Sequence, residues 1–159
     1  MAPLLAQVFS WPEEGLGVHI GRVLVRLTVA TLLGGIVGFE RHREGKSAGL
    51  RTHMLVALGA ALFTLIPQEA HMDKADLSRV IQGVAAGIGF LGAGTILKLE
   101  EQHRIEGLTS AASVWLTAAI GMAIGAGWLW PAVVGVVWGW IILWFIHRLE
   151  KYLRSHHAP

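Results

Sequence analysis

The sequence contains no cysteine, which excludes disulfides and thiolate metal sites but identifies no compartment. Charge is scarce too. Only 15% of the 159 residues are Asp, Glu, Lys or Arg, against roughly 25% in ordinary soluble domains. No cleavable signal peptide is evident. Met1–Ser10 lacks a basic n-region, and Trp11-Pro12-Glu13-Glu14 follows without a small-residue cleavage pattern. There is no internal repeat, low-complexity tract or second domain. No single helix offers a His/carboxylate metal cluster, and no nucleophile and base stand at usable spacing, so catalysis is the least supported class. No cofactor is implied. An exposed basic face with base-reading or aromatic partners is also missing, which argues against nucleic acid as a partner.

What is present is apolar. Hydrophobic residues make up 53% of the chain, and mean hydropathy is +0.54. Five segments stand out, about Ile20–Phe39, Leu50–Pro67, Val80–Leu97, Leu108–Gly125 and Trp128–Ile146. Each approaches the ~20 residues that a helix needs to cross ~30 Å of hydrocarbon. The second is the weakest, because Arg51 and His53 occupy its first turn. The expected fold is all-α, a polytopic membrane helix bundle of about five transmembrane helices over residues 20–146. Residues 1–19 form a lead-in suited to an interface, with Leu4, Leu5, Val8, Phe9 and Trp11, and residues 147–159 form a basic cytoplasmic tail.

A dense polar block, Glu40–His53, separates the first two segments. Alternate loops, residues 40–53, 98–106 and 147–159, hold nine Lys and Arg, whereas residues 1–21 and 68–79 hold only Lys74 and Arg79. Positive charge keeps loops in the cytoplasm. The N-terminus is therefore expected outside and the C-terminus inside. Trp128 and Trp130 at one boundary of the last segment, and Trp144 near the other, fit aromatic belts. Pro131 falls in that helix's first turn, where a missing N–H costs least.

Glycine recurs at four-residue spacing: Gly34 and Gly38, Gly83 and Gly87, Gly121 and Gly125, Gly135 and Gly139. Such pairs let helix backbones approach closely in lipid, although glycine is common in membrane helices anyway. Together they favour a bundle, with a second copy of the chain and a monomer both compatible. Two strings imitate nucleotide sites. Gly87-Ile88-Gly89-Phe90-Leu91-Gly92 matches the dinucleotide pattern but lies inside an apolar run, where the required strand and soluble helix have no room. Gly45-Lys46-Ser47 is similar to a phosphate loop, yet Glu40 stands where that loop needs its first glycine.

Taken in order, the segments resemble one family. Arg26-Leu27, Gly34-Gly35 and Gly38-Phe39-Glu40-Arg41 look like the first helix of the MgtC/SapB family. Gly45–Val56, which includes Arg51-Thr52-His53, is similar to its cytoplasmic signature. Gly87–Gly94 and Gly107–Trp115 resemble its third and fourth helices, so the likeness covers about residues 22–127. Two departures stand out. Members often carry Asp-Pro before the arginine of helix three, where this chain has Asp76-Leu77-Ser78-Arg79, and longer members add a soluble C-terminal domain. The resemblance implies a bacterial inner-membrane protein linked to growth in scarce magnesium and, in pathogens, to survival inside host cells.

The residues expected to matter fall into two groups. Functional polar candidates are Arg26, Glu40, Arg41, Lys46, Arg51, Thr52, His53, Asp76, Arg79 and Gln82. Packing or cavity candidates are Gly34, Gly38, Gly87, Gly89, Gly92, Gly94, Thr109, Ser110 and Trp115. Arg26 lies inside the first helix, where an arginine at the centre costs about 2.5–3.5 kcal/mol. It either snorkels to the interface beside Arg22 or pairs with Asp76 or Asp73. The Glu40–His53 block is either a topology anchor or a recognition surface with Glu40 and Arg51 as a charge pair. The Gly87–Thr95 helix is either closely packed or broken, with Gln82, Thr95, Thr109, Ser110, Ser113 and Thr117 supplying oxygens to a cavity.

Three functions compete. A magnesium path would show carboxylates, because Mg²⁺ takes hard oxygen ligands, and the five segments hold only Glu40, at a boundary. Catalysis ranks last. The expectation is a regulator in the lipid bilayer that binds another membrane complex, itself or both, and the alternative is a transporter or channel for Mg²⁺ or a monovalent cation.

Overall fold

In the computed structural model the described residues are 16–99, 104–146 and 148. The expected interfacial segment falls outside them up to residue 15, as does all of the expected tail except Arg148. Five helices follow one another: α1 (Leu16–Arg43), α2 (Leu50–Glu69), α3 (Lys74–Ala93), α4 (Leu108–Gly125) and α5 (Leu129–Trp140). A π-helical stretch, Ile141–Ile146, prolongs α5. Between α3 and α4 lies a small antiparallel hairpin, β1 (Leu97–Leu99) with β2 (Arg104–Glu106), in which Lys98 opposes Ile105.

The expected boundaries shift for local reasons. α1 runs on to Arg43 because Arg41, His42 and Arg43 fill its last turn, where cations complement the helix dipole. α3 starts at Lys74, before the apolar run, because the Asp73 carboxylate accepts the Asp76 amide at 2.8 Å as an N-cap. It stops at Ala93, short of the expected Leu97, and Leu97 itself pairs in the hairpin. α3 is unbroken across Gly83, Gly87 and Gly89, so its glycine run opens no gap in the helix. Three helical stretches are long and apolar enough to cross a membrane, Gly17–Arg43, Leu50–Glu69 and Leu108–Gly125, while the apolar run Leu129–Phe145 is shorter.

Small residues set the packing. Ala57 of α2 is fully buried between two glycines. A Cβ on Gly34 of α1 would stand 2.6 Å from the Ala57 Cβ, and one on Gly121 of α4 would strike the Ala57 carbonyl. One turn away, a Cβ on Gly38 would lie 2.8 Å from the His53 Cβ, and one on Gly125 would strike the Ala61 carbonyl and the Thr64 hydroxyl. α2 is thus sandwiched between α1 and α4 at backbone distance, the association that lipid favours. Gly139 brings α5 onto Leu116 of α4 in the same way. Val37, Val114 and Ala118 fill the spaces between.

α3 behaves differently. A Cβ added at Gly83, Gly87 or Gly89 meets nothing within 4 Å, and only Gly92 approaches a neighbour, Ala111. Of the two expected roles, packing or cavity, close packing is corrected for Gly87 and Gly89, where a Cβ would meet nothing, while Gly87 does line a groove. An apolar groove of about 590 Å³ runs between α2 and α3 past Leu55, Gly59, Phe63, Gly83 and Gly87. Outward faces carry large apolar side chains such as Leu24, Leu32, Phe39 and Trp138, as a lipid-facing surface requires.

The contrast between glycines is testable by thermal unfolding in detergent. Gly121→Ala and Gly125→Ala should each lower stability by about 1–3 kcal/mol, the usual penalty of overpacking. Gly83→Ala and Gly87→Ala should be neutral or stabilise by up to about 1 kcal/mol through helix propensity.

Candidate functional site

The C-terminus of α4 is closed by side chains from two other helices. Its carbonyls must find donors in an apolar surround. Gly127, at φ 84°, adopts the left-handed conformation that turns the chain back. The Gly127 amide then donates to the Ile124 carbonyl at 2.9 Å and the Trp128 amide to the Ala123 carbonyl at 2.7 Å, a complete Schellman motif. Three carbonyls receive side-chain donors. The Thr64 hydroxyl of α2 reaches the Met122 carbonyl at 3.0 Å. Arg26 Nη1 of α1 donates to the Gly125 carbonyl at 3.0 Å, and Gln68 Nε2 of α2 to the Ala126 carbonyl at 2.9 Å. Arg26 Nη1 also donates to Gln68 Oε1 at 3.0 Å, which ties the two side chains together. A cation at the negative end of a helix is electrostatically well placed. Beside this cluster His19 Nε2 lies 2.9 Å from a Glu69 carboxylate oxygen, joining α1 to α2.

The other end of α4 is held by a second polar set. Arg41, 2% exposed, donates from Nη1 to Glu44 Oε2 at 2.9 Å and from Nη2 to Ser110 Oγ at 3.3 Å. Its Nε is buried without an acceptor. His53 is wholly buried, with Nδ1 2.8 Å from the Gly49 carbonyl and Nε2 3.1 Å from Ser113 Oγ. A carbonyl only accepts, so Nδ1 carries a hydrogen. In the neutral ring Nε2 is then an acceptor for the Ser113 hydroxyl, which also lies 2.8 Å from the Ser110 carbonyl. One proton serves two acceptors there.

Several expected roles change. Arg26 pairs with neither Asp76 nor Asp73: Asp73 caps α3, and Asp76 binds Arg79 at 2.9 Å on an exposed surface. The Gly125 carbonyl at a helix end and the Gln68 side-chain oxygen, unforeseeable as partners without the fold, satisfy Arg26 instead. Glu40 and Arg51 form no ion pair among the described residues; the carboxylate that meets an arginine is Glu44 on Arg41. Lys46, Arg51, Thr52, Thr109 and Trp115 are exposed, and Glu40 is half-buried. The Gln82 amide donates to Ser78 on the exposed side of α3 at 3.3 Å. Hydroxyls expected near a cavity turn back to their own helices, Thr95 to the Gly92 carbonyl and Thr117 to the Ser113 carbonyl. Gly94 closes α3, donating to the Phe90 carbonyl at 3.0 Å. Gln68, Thr64 and Glu44 were not anticipated. The signal for Gln68 was its place at a helix end just after Pro67. Among the described residues no three His, Asp or Glu side chains are grouped to hold a metal.

Known proteins resemble this chain over most of its length. The sequence model of the MgtC family matches residues 27–152. Protein SrpB of Synechococcus elongatus is 44% identical over 138 residues, covering 79% of this chain and 75% of its own. The putative magnesium transporter YhiD of Escherichia coli is 41% identical over 133 residues, 79% of this chain and 61% of its own. Protein MgtC of Brucella abortus is 45% identical over 111 residues, 70% of this chain. The chain spans only 45% of the Brucella protein's length. No solved structure matches.

The shared grip of Arg26 and Gln68 on one helix end predicts non-additive damage. Arg26→Ala and Gln68→Ala should each cost about 1.5–3 kcal/mol, the range for buried hydrogen bonds to charged groups. The double variant should be little worse than the more damaging single one. Asp76→Ala should lie within about 0.5 kcal/mol of the parent, as surface pairs do. Denaturant titration in mixed micelles reads all four.

Proposed function

Since the chain belongs to the MgtC family, we propose that it is a non-catalytic, multi-pass protein of the bacterial inner membrane that regulates another membrane complex during growth in scarce magnesium. The observation that carries this reading is where the interior polar groups end. Arg26, Thr64 and Gln68 reach the backbone of α4, and Arg41 and His53 reach its hydroxyls. These groups fix a bundle rather than line a path. A cation would also meet a guanidinium at each end of α4, and no cluster of three carboxylate or histidine ligands stands there among the described residues. The outward surface left by this rigid core, with its apolar groove along α3, suits a helix of a partner complex or of a second copy.

The topology proposed with it has five crossings. α1 enters from outside, the Arg41 end of the bundle is cytoplasmic, and the C-terminus is inside. Nine Lys and Arg in the loops assigned inward against two outside support that orientation.

A second reading is transport of Mg²⁺ or a monovalent cation, favoured by the printed name of the Escherichia coli relative. Reconstitution in liposomes separates the two. Regulation predicts no cation flux under any imposed gradient, and a membrane complex that co-purifies from native membranes. Robust flux that Arg26→Gln abolishes would establish the transporter instead. Orientation has its own check, because the parent chain carries no thiol. A cysteine at His71 should react with an impermeant maleimide in intact cells, and one at Lys46 only after permeabilisation.

A further inference from the structure

The Arg41 end of α4 carries donors that the carboxylate on Arg41 leaves unmet, the Arg41 Nε among them. α4 is 18 residues long and starts after Gly107, at φ 94°, with no side-chain cap. Gly107 is fixed there by sterics, because a Cβ would strike the Thr95 carbonyl. The Ala111 amide donates back to the Gly107 carbonyl at 2.8 Å. The amides of Leu108, Thr109 and Ser110 have no acceptor among the described residues. This is the positive end of a helix dipole.

Into that first turn reaches a second positive group. The Arg41 guanidinium, 2% exposed, touches Ser110 Oγ at 3.3 Å while its Nε lies buried with no acceptor. A buried arginine at a helix N-terminus is electrostatically misplaced unless an anion joins it. Glu44 provides a carboxylate at 2.9 Å from Nη1 and Glu40 a second nearby negative charge, yet Nε stays unmet. Glu44 opens the loop that carries exposed Lys46 and Ser47. That loop leans on the same corner, since the Ser47 hydroxyl donates to the Thr95 carbonyl at 3.5 Å.

We propose that this corner binds a phosphate-type oxyanion, held by Arg41, the first-turn amides of α4 and the Lys46–Ser47 loop, with Glu44 as the internal carboxylate that it displaces. A tetrahedral oxyanion has enough acceptor oxygens for guanidinium donors and helix-terminal amides together. A two-oxygen carboxylate tethered within a turn of Arg41 does not. Lys46 adds a mobile point charge from the loop. The arrangement differs from the nucleotide P-loop, whose leading glycine Glu40 replaces. Two sources supply this chemistry. One is the phosphodiester headgroup of a phospholipid beside the exposed start of α4, where Leu108 is 61% exposed. The other is inorganic phosphate in solution.

The full chain in nanodiscs tests this, with thermal unfolding as the readout at fixed ionic strength. In phosphatidylcholine discs, inorganic phosphate should raise the unfolding temperature saturably where chloride does not, as a ligand of the native state must. A rise only on adding phosphatidylglycerol, with phosphate inert, assigns the site to a lipid headgroup; a rise in the phosphate arm assigns it to the soluble ion. In whichever arm responds, Glu44→Gln should tighten binding roughly fivefold or more by removing the internal competitor. Lys46→Gln, at an exposed loop position that leaves the bundle intact, should weaken it roughly fivefold. No rise in either arm for both the parent and Glu44→Gln overturns the proposal, as does a rise that neither substitution alters. Neither ion flux nor partner capture enters these measurements, so they succeed or fail apart from the regulatory reading.

Discussion

One constraint organises the bundle: a helix surrounded by apolar neighbours is held at its two ends by polar side chains from the other helices. α4 is that helix. At one end Arg26 of α1 with Thr64 and Gln68 of α2 meet carbonyls of its last turn; at the other, Arg41 of α1 and His53 of α2 meet the Ser110 and Ser113 hydroxyls. The same spacing separates Arg26 from Arg41, His53 from Gln68, and Ser110 from Gly125. At 1.5 Å per residue that is roughly 22 Å along each helix. Matched spans on three helices are therefore registered by their polar ends. A slip of one turn would strand an arginine at each end.

Sterics reinforce this register. Ala57 fits between Gly34 and Gly121 with no room for a methyl on either, so α1, α2 and α4 stay fixed along their length as well as at their termini. α3 stands outside the arrangement. Its polar contacts are local, Asp73 to its own first turn and Asp76 to Arg79. Its glycines face open space beside the groove with α2. The protein thus combines a tightly registered trio with a loosely seated helix, and stability and recognition need not depend on the same residues.

Much of this was legible in the sequence, because the rules behind it are local. The hydrophobic segments placed all five helices, and the glycine spacings in α1, α4 and α5 marked real close approaches. The same spacing in α3 did not, since residue type cannot reveal whether a neighbour is present. Arg26 was recognisable as an expensive residue, but its partner was not. The search for a counter-charge led to Asp76 and Asp73, whereas the main-chain carbonyl of Gly125 at a distant helix end, with the Gln68 side-chain oxygen, satisfies it. Backbone acceptors have no letter in the sequence. Glu44 was likewise hidden, because Glu40 and Arg51 looked the more obvious pair and only the turn after α1 decides which carboxylate folds back onto Arg41. The hairpin between α3 and α4 escaped because its strands are three residues each, too short for an alternating pattern to show.

The bond between Arg26 and the Gly125 carbonyl joins residues 99 positions apart, and this has a consequence for biogenesis. A ribosome adding about 5–20 residues per second takes roughly 5–20 s to make the second residue after the first. Until α4 is made, Arg26, Arg41 and His53 lack their partners on it, Gly125, Ser110 and Ser113. The nascent hairpin is thus a half-built client that needs an insertase or lateral shelter until α4 emerges. Chains truncated before Leu108 would leave those side chains stranded, and membrane proteases would meet them as orphans.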